Sequence, residues 1–264
     1  MASHGNYRGY QGVSRHDGQN SASHVVDYRL QVLVDTLPDI FAGKDILDVG
    51  CNNGAISVHL GNTTCRICCP ATVTGVDIDP ELVKKARSHL SFRYSRTAPG
   101  ETTTGNDPER NNYFPISSVM EHGHRPYPED PVPTKFPRNV EFHCEDWAKT
   151  SISEAGSYDV VLALSMVKWV HLQHLDEVMT KGLREFFGKC HSSLRLSGYF
   201  VLEPQEWASY ERAVKKNKSL GGNLQKLKIR PEHFESVLKE IGFNFLQKAE
   251  GKGLKRNIFI YQKK

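Results

Sequence analysis

The chain has 264 residues, 38% of them hydrophobic, with 34 Lys or Arg against 30 Asp or Glu and a formal net charge of +4. That length suits one large domain with a substantial core, and a mean hydropathy of −0.50 fits a protein handled by water. No apolar run reaches the ~20 residues a membrane-spanning helix needs, and the first 24 residues lack the apolar segment of a secretory signal.

A helical pattern over 27–37 precedes KDILDVG (44–50), an apolar run that predicts the first strand, and a second helix follows over 54–60. CRICC groups Cys65, Cys68 and Cys69, while Cys51, Cys144 and Cys190 stand apart. Zinc spacing therefore lacks its second ligand pair, and reduced thiols with no metal site are expected. TVTGVDID (72–79) predicts a strand and 80–90 a helix, with Pro80 in the first turn, where its missing N–H is tolerated. Residues 93–138 break the alternation: eight of the thirteen prolines fall there, among TTTGNDPERNN and PYPEDPVP. So polar a composition does not offset its own ordering entropy, and a mobile insertion is expected. NVEFHC (139–144), YDVVLALS (158–165) and GYFVLEP (198–204) predict three more strands, with one helix over 172–194 between the last two. After a helix over 231–241, FNFLQK (243–248) and NIFIYQ (257–262) alternate more strictly than the other runs and flank a Lys/Gly-rich connection, as an antiparallel hairpin at a sheet edge does. Seven strands between helices, only the last pair antiparallel, predict one α/β domain over 1–264 with a Rossmann-like sheet of methyltransferase type.

DILDVGCNNG places Asp48, Gly50, Asn52 and Gly54 on the turn after the first strand. Gly50 lets the backbone approach a ligand, and Gly54 lets the helix start against the strand. Asn52 and Asn53 stand where a dinucleotide fingerprint has its middle glycine. A pyrophosphate needs that bare backbone; S-adenosylmethionine has no phosphate and tolerates the loss. Twenty-seven residues after Gly50, GVDIDP ends the second strand with Asp77, a carboxylate able to accept hydrogen bonds from both ribose hydroxyls. Ile78 is expected on the adenine face. CEDWAK offers Asp146 and Trp147 to the adenine amine and ring. Each feature alone is weak, since a glycine turn is often only a turn and an Asp before Pro only a cap. In this order they predict S-adenosylmethionine rather than a nicotinamide cofactor.

In an open α/β sheet, ligands lie beyond the carboxyl ends of the strands. VVLALSMVKWVHLQH sends Lys168, Trp169 and His171 from the end of the fourth strand, and VLEPQEWASY sends Glu203, Gln205, Trp207 and Tyr210 from the end of the fifth. Bland alternatives stand beside this: tryptophans in the core of a following helix, a solvated lysine, a histidine bonded to a helix start. A cation, an indole and an imidazole recurring on the acceptor side favour a site. The Asn/Asp-Pro-Pro-aromatic motif of amino-group methyltransferases is absent, so an oxygen acceptor is expected. A terminal phosphate is already ionised near neutral pH, its second pKa being about 6. It needs alignment and charge screening rather than a strong base. Lys168 and His171 would donate to it, and Trp169 or Tyr210 would cover a base or exclude water. Over 210–264, fourteen Lys or Arg face five Glu, a net of +9 that leaves −5 for the other 209 residues. A polyanion docking on that basic fifth is expected, though a solvated lysine-rich surface reads the same way.

GNYRGYQG, YRLQVL, ILDVGCNNG, GVDID, YDVVLALSMVKWVHLQ, LRLSGYFVLEPQEWASY and LKIRPEHF together resemble the bicoid-interacting-3-like RNA methyltransferases, the family of the methylphosphate capping enzymes of small nuclear RNA. The resemblance covers nearly the whole chain outside 93–138, and KWVHL followed by LEPQEW is its specific part. It implies methyl transfer from S-adenosylmethionine to the 5′-terminal phosphate of a small non-coding RNA, the γ-phosphate in capping enzymes and a monophosphate in a sister group. Carried over position by position, Tyr10, Gln11 and Arg29 fall at the cofactor or RNA end, and Gly50, Asn52, Asp77, Ile78, Asp146, Trp147 and Leu164 at the cofactor. Lys168, Trp169 and His171 fall on the acceptor side, with Glu203, Pro204 and Gln205 beside them. Tyr7, Tyr10 and Arg15 imply that residues 1–26 fold over the site. The family's Gly-Asn-Tyr after the third strand is Glu145, Asp146 and Trp147 here. The resemblance further implies a monomeric enzyme in the nucleus, with the cytoplasm as a second location, and a La-related RNA-binding protein as partner. A second reading stays open: a subunit of an RNA–protein complex that protects the 5′ end with dispensable turnover.

Overall fold

The computed structural model describes residues 27–62, 69–99, 112–129, 135–150, 155–176, 182–251 and 253–264. They gather into two compact units, 27–145 and 146–264.

The first unit comprises α1 (Tyr28–Thr36), β1 (Asp45–Val49), α2 (Ala55–Gly61), β2 (Thr72–Asp77), α3 (Pro80–Arg96), α4 (Ile116–His122) and β3 (Val140–Cys144). Its strands run parallel in the order β3-β2-β1. Ile46, Leu47, Val49, Val73 and Val76 are all buried, so burial is continuous along β1 and β2, while β3 alternates at the edge. Gly54 caps α2 at φ 74°, and a Cβ there would meet Phe142 Cζ at 2.6 Å and Ala86 Cβ at 2.8 Å. Glycine alone lets α2 start so close to α3 and β3. Asp79 caps α3 by accepting the backbone N–H groups of Glu81 and Leu82, and Pro80 takes the first turn, as its position in the sequence indicates.

α3 runs six residues past the expected end at 90 because the segment after it packs on it. The Arg125 guanidinium lies 3.9 Å from the Tyr94 ring centroid and donates to Thr97, and the Arg125 backbone N–H donates to Ser95 Oγ. Tyr127 meets Tyr94 edge-on and its hydroxyl lies 2.9 Å from Ser91 Oγ. The described part of 93–138 thus carries packing that composition did not indicate. Cations on aromatic faces and side-chain bonds replace the aliphatic contacts that the sequence lacks.

The second unit comprises β4 (Tyr158–Leu164), α5 (Val167–His174), α6 (Leu183–Ser193), β5 (Leu194–Glu203), α7 (Trp207–Lys216), α8 (Gly221–Lys226), α9 (Phe234–Ile241), β6 (Phe243–Ala249) and β7 (Ile258–Lys263). The order is β4-β5-β7-β6, with β4 and β5 parallel and β7 antiparallel to both its neighbours. The C-terminal hairpin is therefore as expected, with its second strand placed against β5. Phe187 contacts Phe200 and Phe234 edge-on, and Phe200 stacks on Phe243 at 5.3 Å, an aromatic core of fully buried rings. The single helix expected over 172–194 is two. Leu175 turns away at φ 62°, and Asp176 leaves the helical path to accept the backbone N–H groups of Lys228 and Ile229. α7 and α8 go beyond the helices the sequence indicated.

Candidate functional site

In the first unit the turn after β1 passes through left-handed backbone at Gly50 (φ 73°) and Asn52 (φ 56°). That conformation aims the Asn52 backbone N–H at Asp77 Oδ2, 2.9 Å away, while the Asp79 N–H donates to Oδ1 at 3.0 Å. Each oxygen of the carboxylate thus accepts one backbone N–H. Asp77 is thereby fixed at the end of β2 in a chosen orientation, and half-buried Ile78 follows it. Asp48 lies beneath the turn, bonded by Ser57 Oγ at 2.7 Å. Burial raises its pKa to about 6, and the Ser57 bond and the Arg29 charge oppose that rise. Arg29 is itself tied to Asp27 through Nε at 2.9 Å and Nη2 at 2.7 Å. Tyr10 and Gln11, like Tyr7, Arg15, Cys65 and Cys68, lie outside the described residues.

In the second unit Asp146 pairs with Lys149 at 2.6 Å. Trp147 is buried edge-on against Phe186, with Lys189 Nζ 4.0 Å from its ring centroid and donating to the carbonyls of Trp147 and Thr150. Trp147 is thus pinned to α6, and Asp146 to the Lys149 ammonium three residues on.

The tips of β4 and β5 are tied together. Leu164 ends β4, and Ser165 follows in left-handed backbone at φ 59°. The Ser165 N–H donates to the Glu203 carbonyl at 3.1 Å, and its hydroxyl donates to Glu203 Oε2 at 2.6 Å. Gln205, after Pro204, donates to the Ser165 carbonyl and accepts the Lys168 backbone N–H at 3.2 Å. The Lys168 ammonium donates to Ser209 Oγ at 2.9 Å and sits 4.6 Å from the centroid of half-buried Trp169. Desolvation, aided by the charges of Arg256, Arg212 and Lys216, lowers its pKa to about 8.

Lys168, Trp169, Glu203 and Gln205 therefore gather as the pattern suggested. Arg256 joins them unannounced, donating through Nη1 to Ser165 Oγ at 2.9 Å. One signal could have found it. Because β7 runs antiparallel to β5, with Leu202 opposite Phe259, the residues preceding β7 must lie at the carboxyl end of β5.

His171 and Tyr210 are placed differently from expectation. Both are fully buried, so neither faces an acceptor or covers a base in this structure. His171 Nε2 lies 2.7 Å from Asp176 Oδ1, and Nδ1 lies 3.2 Å from the Tyr210 hydroxyl. A neutral ring satisfies both by donating to Asp176 and accepting from Tyr210. Burial depresses the imidazole pKa, the Asp176 contact opposing it, and burial raises that of Tyr210. Tyr210 stacks on Trp207 at 5.1 Å, whose ring centroid lies 3.5 Å from the Arg230 guanidinium. The imidazole is a latch joining α5, α7 and the chain at 228–229. His171→Ala strands the buried Tyr210 hydroxyl, removes one of the partners of Asp176 and opens a cavity, at a cost of about 3 kcal/mol. The melting temperature should fall by roughly 10 °C; an unchanged melting temperature with lost activity would restore the acceptor role.

The solved methyltransferases share this architecture. The N-methyltransferase NodS of Bradyrhizobium japonicum WM9, crystallised with S-adenosyl-L-homocysteine, superposes with a TM-score of 0.50 at 14% identity, covering 89% of this chain and 86% of NodS. The fold is that of the class I S-adenosylmethionine-dependent methyltransferases. Within that class, the chain belongs to the Bicoid-interacting protein 3 (Bin3) family, whose model matches residues 158–263. A probable RNA methyltransferase of Arabidopsis thaliana is 31% identical, over 98% of this chain and 80% of its own length. The 7SK snRNA methylphosphate capping enzyme of Homo sapiens is 31% identical over 97% of this chain, and the chain spans 38% of that relative's length. An RNA 5′-monophosphate methyltransferase of Rattus norvegicus is 27% identical over 66% of this chain and 50% of its own.

Proposed function

We propose that the chain is an S-adenosylmethionine-dependent O-methyltransferase acting on the 5′-terminal phosphate of a small non-coding RNA. The observation that carries this reading is the cationic group at the tips of β4 and β5, Lys168 with Arg256, held in place by Ser165, Glu203 and Gln205. It occurs in a chain whose relatives are named for phosphate methylation of RNA ends.

The residues of the first unit fit an adenosyl group. Asp77 is oriented by two backbone N–H groups, and the left-handed turn at Gly50 and Asn52 carries no side chain demanding a phosphate. Asp77 would hold the ribose, Ile78 the adenine, and Asp146, Trp147 and Leu164 would complete the cofactor contacts. When bound, the cofactor supplies an electrophilic methyl group. The chain's own residues have three tasks: Lys168 and Arg256 screen the phosphate oxygens, Ser165 and Glu203 orient Arg256, and Gln205 fixes the Lys168 backbone to the strand tip. No strong base is required, since the acceptor is ionised already. Trp169 would exclude water beside Lys168, and Tyr10, Gln11 and Arg29 would close the N-terminal side. A nuclear location, a monomeric enzyme and a La-related RNA-binding partner belong to the same reading.

Purified protein incubated with methyl-labelled cofactor and short RNAs bearing triphosphate, monophosphate or hydroxyl 5′ ends is expected to label phosphate ends and spare hydroxyl ends. Label on the triphosphate assigns the γ-phosphate, and label on the monophosphate alone assigns the activity for which the rat relative is named. No label on any RNA, with nanomolar RNA binding retained, would overturn the enzyme in favour of a protecting subunit.

A further inference from the structure

The first unit holds a groove that none of the roles above uses. It has a volume of about 400 Å³ and runs along α3 from Pro80 to Ser91, a rise of about 16 Å at 1.5 Å per residue. Lys84, Arg87, Ser88 and Ser91 recur at helical spacing and make one face of α3, and His124 and Cys144 close the sides. Among the described residues lining it, none is acidic. Arg87 is preorganised: its Nη2 donates to the Phe142 carbonyl at 2.7 Å, which holds the guanidinium against β3. Ser91 is fixed by the Tyr127 hydroxyl, and Arg138 lies 5.8 Å from the Tyr127 ring centroid, adding a further cation nearby. Cys144, at one wall, stands in register with Asp77, so the groove opens at the same strand ends as the proposed ribose contact.

A lysine, an arginine, two hydroxyls and an imidazole lining one groove beside Pro80 and Val83, with no carboxylate among them, are the chemistry that meets the repeated phosphates of a nucleic-acid strand. We infer that this groove binds a single-stranded segment of RNA, through its backbone phosphates, as a site separate from the grip on the 5′ phosphate. The inference rests on the RNA reading above for its ligand, but not on turnover.

The test uses Cys144, which is exposed, as a reporter and exposed Cys69 as the control outside the groove. A 12-nucleotide RNA with a 5′-hydroxyl end, added without cofactor, should protect Cys144 from alkylation at least fivefold while Cys69 reacts at its own rate, read by peptide mass. Lys84→Glu combined with Ser88→Glu, two exposed positions, should weaken binding of that RNA at least fivefold. The slope of log affinity against log salt should become shallower by about 0.7 for each phosphate the double variant no longer neutralises. Cofactor titrations should be unchanged. Protection by ATP but not by RNA would assign the groove to a free nucleotide and overturn the inference, as would unaltered affinity and salt slope in the double variant. Protection of Cys144 together with no label on the phosphate-ended RNAs of the methyl-transfer assay would retain the groove and remove the enzyme, so the two readings fail separately.

Discussion

Asp77→Ala is expected to weaken cofactor binding a hundredfold or more in a calorimetric titration, with transfer at saturating cofactor within a few fold of the parent. Hydrogen bonds to a charged group contribute about 1.5–3 kcal/mol each, so loss of two ribose hydroxyl partners alone accounts for a factor of that size. The substitution also removes the acceptor that holds the Asn52 and Asp79 N–H groups at 2.9 and 3.0 Å, and with it the bond that ties the left-handed turn at Asn52 to the end of β2. Asp77→Asn separates these contributions. Its amide keeps one oxygen, but it must face the second backbone donor with an N–H of its own. It should therefore bind cofactor nearly as poorly as the alanine variant while packing almost as well. Cofactor affinity within threefold of the parent in both variants would remove Asp77 from the site.

Much of this was legible in the residues because parallel strands buried on both sides are rich in apolar residues, and the chain follows that over Asp45–Val49, Thr72–Asp77 and Tyr158–Leu164, with Asp48 and Asp77 as buried polar exceptions. The hairpin was legible from a different signal, two short runs rich in aromatic and aliphatic residues, Phe243–Ala249 and Ile258–Lys263, on either side of a Lys/Gly-rich connection. What stayed hidden depended on partners far along the chain. The apolar spacing across 172–194 is compatible with one helix, and only the backbone donors at Lys228 and Ile229 draw Asp176 out of it. An imidazole seven residues past a strand tip reads alike whether it faces a ligand or the interior; Tyr210, 39 residues on, decides that His171 faces inward. Arg256 was hidden by register, as a basic residue in a Gly/Lys-rich connection has no address until β7 is paired with β5. In the described part of 93–138 the packing was hidden because composition counts aliphatic surface and overlooks what Arg125 gains over Tyr94.

Lys168→Ala should do the reverse of Asp77→Ala: kcat falls by about 10²–10³, the usual effect of deleting one preorganised charge stabiliser, and cofactor affinity stays within threefold. The two variants together separate holding the donor from aligning the acceptor, and equal losses of cofactor binding in both would contradict that division. pH offers a second view of the same lysine. Burial first, and then the charges of Arg256, Arg212 and Lys216, lower its pKa from 10.5 to about 8. The cation that screens phosphate is therefore present below about pH 8 and lost as pH rises through it, so kcat/KM should decline on that limb. A bound phosphate favours the proton, which places the limb of kcat at higher pH than that of kcat/KM. Lys168→Arg keeps its charge and should remove the limb altogether, whatever it costs in rate. Stability moves the other way. The folded pKa lies below the unfolded value, so between about pH 8 and 10.5 the unfolded chain binds more protons, and this group's contribution to stability rises with pH while activity falls. Activity lost above pH 8 by unfolding would show a falling melting temperature over the same interval; loss with a level or rising melting temperature belongs to the lysine.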